Sequence, residues 1–245
     1  MKIFMRPNSF WQDQDFVVDN EWRANPDIVK IPIYETNYYE AYASKFLEVY
    51  FSCRATTEFK QSVQHEFDFY PIDGNYYRHL STFMFGDTTV LTNPYQLRNT
   101  YQYFTFQDVT GNNINTYDHI FEIGGGAGDF AKFILRNGFK GEYSIIDIPS
   151  TFKVSKKNLK GYNVNFLNKL PAVIPKNSLL ISTWGLSEIP LEERTVIQED
   201  FKGGIIAYQQ QIFGVDNAKY FKDWKGCRLN MPWVAWDGGS YFLSW

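Results

Sequence analysis

Two acidic side chains and a cluster of glycines are the residues of this sequence best suited to chemistry. Residues 121–130 read FEIGGGAGDF, with Glu122 just ahead of the glycines. Glycine in a regular element costs roughly 0.5–1 kcal/mol relative to alanine, so this cluster indicates a turn that bends sharply or closely approaches a ligand. Asp147 ends the next apolar run, EYSIIDI, where a carboxylate suits a pair of ribose hydroxyls. A nucleoside site is predicted; the alternatives are a ligand-free turn and a helix N-cap at Asp147.

The glycine spacing leaves two ligand classes open. The dinucleotide pattern G-x-G-x-x-G/A fails from Gly124 but is met from Gly126, late relative to the preceding apolar run. The other pattern is an acidic residue followed by G-x-G-x-G, from Glu122 to Gly128. An acidic residue at the end of a strand suits a cationic ligand better than a pyrophosphate. S-adenosylmethionine, with an ammonium, a sulfonium and no phosphate, is such a ligand.

The elements around these residues predict an α/β fold. After residue 112, short apolar runs alternate with helical segments of about ten residues, which is typical of βαβ units in a parallel sheet. The sequence therefore predicts a Rossmann-like, mostly parallel sheet with helices on both faces and an antiparallel C-terminal hairpin around 237–239. The predicted strands lie at 118–123, 142–148, 162–167, 178–183 and 203–209; helices are predicted after the glycines, in 150–161, in 190–201 and in 215–224.

The first part of the chain has a different spacing of apolar residues. Apolar residues at spacings of three and four within 38–53 predict an amphipathic helix, and another is predicted from Pro94 with Asn93 as its N-cap. The segment GNNINT, residues 111–116, is the clearest linker. We therefore predict a mainly helical N-terminal substrate or lid region at 1–112 and a ligand-binding domain at 113–245.

The composition and charge limit the classes of binding partner and the compartment that we expect for this protein. A net charge of −3 argues against nucleic acid as the main partner, and no apolar run approaches the ~20 residues of a membrane span. The N-terminus lacks the apolar core of a signal peptide, and Cys53 and Cys227 lie far apart, which favours a reducing compartment. We expect a cytoplasmic protein, and the sequence leaves the oligomeric state undecided.

Three segments together resemble a known family. FEIGGGAGDF, YSIIDIPS and LLISTWGLSEIP, in that order and spacing, resemble the S-adenosylmethionine-dependent methyltransferases of the Rossmann-like class. The closest likeness is to the sugar O-methyltransferases, and the stretch Ser182–Glu188 alone carries that sugar assignment. The likeness covers residues 113–245, about half of the chain.

The resemblance implies a set of cofactor-binding residues. The methionine part would be cradled by Glu122, Gly124, Gly126 and Gly128, and the ribose would be held by Asp147. The adenine would be contacted by Ile148 and Asn168, and the pocket near the methyl group would be lined by Thr183 and Trp184. An acidic residue is common at the position of Asn168, so the chain departs from the family there.

Transfer to an alcohol also needs a group that takes its proton. Glu188 follows the fourth predicted strand, and His79 follows an irregular glycine-containing segment; both are candidates, each with a structural alternative. No His, Asp or Glu pair has metal-ligand spacing, so no metal site is predicted, although the resemblance leaves a divalent metal open because some sugar methyltransferases use one. The expected substrate is a sugar or glycan, packed by aromatic residues of the N-terminal region. The rival hypotheses are an NAD(P)-dependent oxidoreductase and a catalytically inactive methyltransferase-fold binding subunit.

Overall fold

The computed structural model describes residues 81–85, 88–92, 94–212, 214–231 and 239–245. The first described elements are a strand pair and a helix. Strands β1 (Ser81–Phe85) and β2 (Thr88–Thr92) pair antiparallel, and helix α1 (Pro94–Thr110) follows. The predicted helix from Pro94 is confirmed. The strand pair was not predicted, although STFMF and TTVLT are rich in β-branched and aromatic residues that favour strands.

A seven-stranded sheet forms the centre of the described chain. The elements after α1 are β3 (His119–Ile123), α2 (Asp129–Arg136), β4 (Glu142–Ile146), α3 (Phe152–Asn158), β5 (Val164–Leu167), β6 (Ser178–Thr183), α4 (Gly185–Glu188), β7 (Gly203–Gln209), β8 (Gln211–Ile212), β9 (Val215–Asp216), α5 (Asn217–Tyr220), β10 (Cys227–Asn230) and β11 (Ser240–Ser244). The order of the strands in the sheet is β5-β4-β3-β6-β7-β11-β10, with β3 to β7 parallel and β11 antiparallel to both of its neighbours. The predicted Rossmann-like fold is confirmed.

Alternating side chains of the strands build two hydrophobic cores. On the face that we call the first face, Ile120 and Tyr143 pack with Phe106 of α1 and Phe133 of α2. On the second face, residues such as Phe121 pack against the segments that follow β6 and β7. This alternation is the expected result of strand geometry, in which successive side chains point to opposite faces.

The second face is covered mainly by short turns of helix. The predicted helix in 190–201 is wrong, because that stretch holds two 3₁₀ turns, Leu191–Glu193 and Gln198–Asp200, with extended chain between them. Three consecutive β-branched residues at 195–197 explain the break, since such side chains lose rotamer freedom in a helix. The predicted helix in 215–224 is reduced to α5.

The antiparallel C-terminal strands are confirmed, while the first strand and the turn expected just before Gly239 lie outside the described residues. β11 pairs with β10 at 227–230, earlier in the chain than the hairpin predicted around 237–239. The domain boundary at 112/113 stays a prediction, although α1, which precedes it, contributes Tyr103 and Phe106 to the core of the first face. Within the described residues, no helix combines the length and apolarity needed to cross a membrane.

Candidate functional site

The glycine turn after β3 requires glycine at three positions. Gly124, Gly126 and Gly128 have φ values of 76°, 52° and 82°, a region that residues with a Cβ seldom adopt. The Gly124 N–H donates to the Ile146 carbonyl at 2.9 Å, which holds the turn against the end of β4. The chain then enters α2, with Gly128 at the N-cap position.

A second glycine meets this turn at the carboxyl edge of the sheet. A Cβ added to Gly124 would lie 2.5 Å from the Gly185 Cα, and one added to Gly185 would clash with the Ile123 carbonyl oxygen. Ser182 closes the same contact, because its hydroxyl donates to Ile123 O at 3.0 Å and accepts from Leu186 N at 2.7 Å. β3 and β6 are the neighbours at which the strand order reverses, and ligands of doubly wound sheets bind in the crevice at that point.

Glu122 is buried on the first face, directly below the glycine turn. Its side chain is 1% exposed, and its Oε2 accepts a hydrogen bond from the Tyr143 hydroxyl at 2.9 Å. Burial and the neighbouring carboxylate raise the pKa of Tyr143 well above its ordinary value, so the phenol keeps its proton and acts as a donor. The pair fixes the orientation of the carboxylate from the adjacent strand, β4.

Asp147, just beyond β4, anchors the glycine turn. Its Oδ2 accepts from the Gly126 N–H at 2.7 Å and its Oδ1 from the Ile148 N–H at 2.7 Å. Burial raises its pKa to about 6, and the two backbone N–H groups partly offset that rise. This contact could not be predicted from local patterns, because it joins turns that follow two different strands.

The chain leaves β6 through a constrained turn. Thr183 is half-buried at the end of the strand, and Trp184 has φ 71° and ψ −32°, a conformation that costs a bulky residue of order 1–3 kcal/mol. The Trp184 N–H donates to Ala207 O at 2.7 Å, and its ring packs against the core of the first face. Such strain clusters at functional sites.

An arginine that the sequence analysis missed holds the segment after this turn. Arg194 is 7% exposed and donates to the carbonyls of Ser187 and Ile189 at 2.8 and 2.6 Å and to Asn217 Oδ1 at 2.6 Å. Its guanidinium lies 4.8 Å from the centre of the Tyr220 ring, and burial lowers its pKa to about 10. Arg194 thereby ties the segment that carries half-buried Glu188 to α5. Its sequence context, PLEERTVIQED, carries no signal of burial.

Most of the predicted site residues come together at one edge of the sheet. They lie at or just after the carboxyl ends of four neighbouring strands, because these strands are parallel. The residues are Glu122, Gly124, Gly126, Gly128, Asp147, Ile148, Asn168, Thr183, Trp184 and Glu188. Asn168 is exposed at the end of β5, and His79 lies outside the described residues. The roles assigned to these residues stay predictions.

The opposite edge of the sheet carries a different pair. His119 begins β3, and its Nδ1 lies 3.3 Å from Glu142 Oε2 at the start of β4. This position is remote from the glycine turn, which follows the other end of β3. Among the described residues, no three His, Cys, Asp or Glu side chains come together as a metal-binding group.

No family model matches the sequence, and no curated protein matches it either. Among solved structures, PigF with S-adenosylhomocysteine is 16% identical over 46% of this chain and 41% of PigF, with a TM-score of 0.33. TrmK of M. capricolum with S-adenosylhomocysteine is 15% identical over 58% of this chain and 66% of TrmK, with a TM-score of 0.41. A SAM-dependent methyltransferase of Leishmania major is 10% identical over 60% of this chain and 70% of its own, with a TM-score of 0.47. The chain thus spans less than half of PigF.

Proposed function

We propose that the chain is an S-adenosylmethionine-dependent methyltransferase and that it transfers the methyl group to a hydroxyl of a sugar or glycan. One observation carries the cofactor assignment. Two buried carboxylates, Glu122 and Asp147, lie at the ends of adjacent strands beside a turn that has no room for side chains. A buried negative site of this kind suits a cationic nucleoside ligand.

The hydrogen bonds of the turn disfavour the dinucleotide alternative. A pyrophosphate site needs backbone N–H groups that point to the anion. Here the Gly126 N–H already donates to the Asp147 carboxylate, whose negative charge would repel a phosphate. S-adenosylmethionine would supply, when bound, a methyl carbon activated by its sulfonium. Glu122 would then lie on the side of the methionine ammonium, and Asp147 would accept from the ribose hydroxyls.

The acceptor assignment rests on the stretch Ser182–Glu188 and its place at the reversal of strand order. Thr183 and Trp184 would border the reacting groups, and Glu188 would take the proton. Glu188 would accept the proton of the acceptor hydroxyl, and the bound cofactor would supply the methyl group that replaces this proton on the oxygen. Arg194 holds this segment in place from the side of the second face. His79 is the other candidate for the base.

Calorimetric titration tests the cofactor. The wild-type chain is titrated with S-adenosylhomocysteine and with NADH, and Asp147→Ala is compared with Asp223→Ala, which removes an exposed carboxylate. We expect binding of the homocysteine compound only, weakened by Asp147→Ala and unchanged by Asp223→Ala. Binding of NADH alone would refute the methyltransferase assignment.

Transfer of labelled methyl groups tests the acceptor. The chain is incubated with methyl-labelled S-adenosylmethionine and a panel of sugars, glycans and small phenols, and labelled products are separated by chromatography. Glu188→Gln is expected to reduce transfer by about 10²-fold or more, and Glu192→Gln, an exposed carboxylate nearby, to leave it unchanged. Label on phenols and on no sugar would contradict the sugar assignment while leaving the cofactor assignment intact.

A further inference from the structure

Gly125 is a glycine of the turn whose own backbone conformation does not call for glycine. Its φ is not positive, unlike the φ values of the three other glycines of the turn. A Cβ added to Gly125 would instead lie 2.8 Å from Ile145 Cγ2 and 3.3 Å from Glu122 Oε2. The absence of a side chain at position 125 therefore lets the Glu122 carboxylate reach the underside of the turn.

Tyr143 holds the same carboxylate oxygen from the neighbouring strand. In the parallel pair of β3 and β4, Tyr143 lies opposite Ile120, and Glu122 is the next residue of β3 on that face. The phenol spans this offset, and its hydroxyl donates to Glu122 Oε2 at 2.9 Å. The Tyr143 ring is fully buried and meets the Phe139 ring edge-on at 6.2 Å. Oε2 is thus bounded on one side by the Tyr143 hydroxyl and on another by the backbone of Gly125.

Packing alone does not account for a carboxylate in this part of the core. Moving a charged group out of water costs free energy, and a phenol, which is a neutral donor, offsets only part of that cost. The neighbours of the pair on the first face, such as Ile120 and Ile145, are apolar, and two apolar side chains would pack there without this cost. A charge kept at such a position indicates a role in attracting a cation.

The two buried carboxylates of this edge meet different parts of the turn. Asp147 accepts the N–H groups of Gly126 and Ile148, whereas Glu122 lies under Gly125. Because Glu122 is 1% exposed, its charge acts on a ligand across the backbone of the turn, and surroundings of low dielectric strengthen that interaction. The interaction falls with distance, so the hydroxyl that holds the carboxylate under the turn also sets its strength.

We propose that Tyr143 is a positioning residue of the cofactor site. Its hydroxyl holds the Glu122 carboxylate under Gly125, and the negative charge there attracts the ammonium of S-adenosylmethionine. This proposal rests on the proposed function and assigns part of the cofactor selectivity to a residue that acts through Glu122. The Tyr143 hydroxyl therefore contributes to the binding of ligands that carry the ammonium, and not to the binding of ligands that lack it.

Titration calorimetry on the full chain near neutral pH tests the proposal with two ligands that differ by one group. One is S-adenosylhomocysteine, and the other is its deamino analogue, which keeps the adenosine and the carboxylate and lacks the ammonium. Tyr143→Phe removes only the hydroxyl. Tyr117→Phe makes the same change in a buried tyrosine that precedes β3, at the opposite edge of the sheet. Glu122→Gln, alone and combined with Tyr143→Phe, completes a double-mutant cycle.

We expect Tyr143→Phe to bind S-adenosylhomocysteine about tenfold more weakly than wild type, and to bind the deamino analogue within about twofold of wild type. Tyr117→Phe keeps both affinities within about twofold. In the Glu122→Gln background, where the charge is absent, adding Tyr143→Phe changes neither affinity by more than about twofold. If Tyr143→Phe fails to fold, the wild-type chain with 3-fluorotyrosine at position 143 replaces it, and its ¹⁹F resonance shifts with S-adenosylhomocysteine and not with the analogue.

Equal weakening of both ligands by Tyr143→Phe would overturn the proposal, because the tyrosine would then only stabilise the fold. Unchanged affinity of this variant for S-adenosylhomocysteine, or a ¹⁹F resonance that responds equally to both ligands or to neither, would overturn it as well. So would a wild-type chain that binds the two ligands equally, since the ammonium would then not be recognised. Failure of wild type to bind S-adenosylhomocysteine would instead refute the proposed function.

Discussion

The buried carboxylate of Asp147 makes the stability of the protein depend on pH in an unusual direction. Its pKa is about 6 in the folded chain against an ordinary value of 3.8. The folded state therefore holds a proton between these values that the unfolded state has released. As pH rises from about 4 to about 6, this residue lowers the free energy of unfolding, and above that range the loss is complete. The rise from 3.8 to about 6 corresponds to about 3 kcal/mol.

Asp147→Asn isolates this contribution from the other titrating groups. The asparagine side chain is neutral at every pH, so the wild type alone loses stability as the carboxylate ionises. Relative to wild type, the free energy of unfolding of the variant should rise by about 2.5 kcal/mol between pH 4 and pH 7.5, because the first part of the change already lies below pH 4. Urea unfolding at half-unit pH steps and constant ionic strength measures the difference. Asp223→Asn, an exposed carboxylate, serves as the control, with a change below about 0.5 kcal/mol.

The prediction would be contradicted if the difference in the free energy of unfolding between Asp147→Asn and wild type did not change with pH. It would also be contradicted if this difference shifted in favour of wild type as pH rises. The first result would mean that the carboxylate is hydrated well enough to escape the cost of burial. The second would mean that the N–H groups of Gly126 and Ile148 stabilise the charge by more than burial penalises it.

The same proton should also affect ligand binding. Ribose hydroxyls donate to a carboxylate, so the proposed cofactor site needs ionised Asp147. Affinity for S-adenosylhomocysteine should fall about tenfold from pH 7.5 to pH 5, because the free protein must first release a proton with a pKa of about 6. Titration calorimetry at several pH values measures this slope, and a slope that persists in Asp147→Asn would assign it to another group.

Three further substitutions test the packing of the site, all by urea unfolding. Gly185→Ala should lower the free energy of unfolding by about 2–4 kcal/mol, because the added Cβ has no space. The control Gly161→Ala, where there is open space but φ is 92°, should lower it by only about 1 kcal/mol. Equal losses in the two variants would contradict the steric explanation. Arg194→Met should cost about 2–4 kcal/mol through the carbonyls and the amide oxygen that lose their donor, and a neutral result would show that water replaces it. Tyr143→Phe should cost about 1–3 kcal/mol at neutral pH by removing the donor to Glu122, and a stabilising effect would show that the carboxyl is protonated.

The parts of the fold that could be predicted are those that depend on residues close together in the sequence, such as apolar runs and the glycine cluster. The apolar runs at 178–183 and 203–209 are buried strands of the bounds expected, and the glycine cluster is the turn expected after β3. The order of these runs also placed the carboxylates at one edge of the sheet, because consecutive parallel strands end on the same side.

The parts that could not be predicted depend on contacts between distant segments. Arg194 looks like a surface residue in an acidic stretch, and only its carbonyl partners explain why it is buried. Gly185 looks like part of an aromatic motif, yet the reason for the glycine is the backbone of Gly124.

The contact between Gly124 and Gly185 limits how the specificity of this protein can be engineered. The two turns touch backbone to backbone, so a combinatorial library that varies either glycine would consist largely of misfolded members, whichever ligand is selected. Diversity is better placed at the half-buried Thr183. Substitutions at that position leave the contact between the two turns intact.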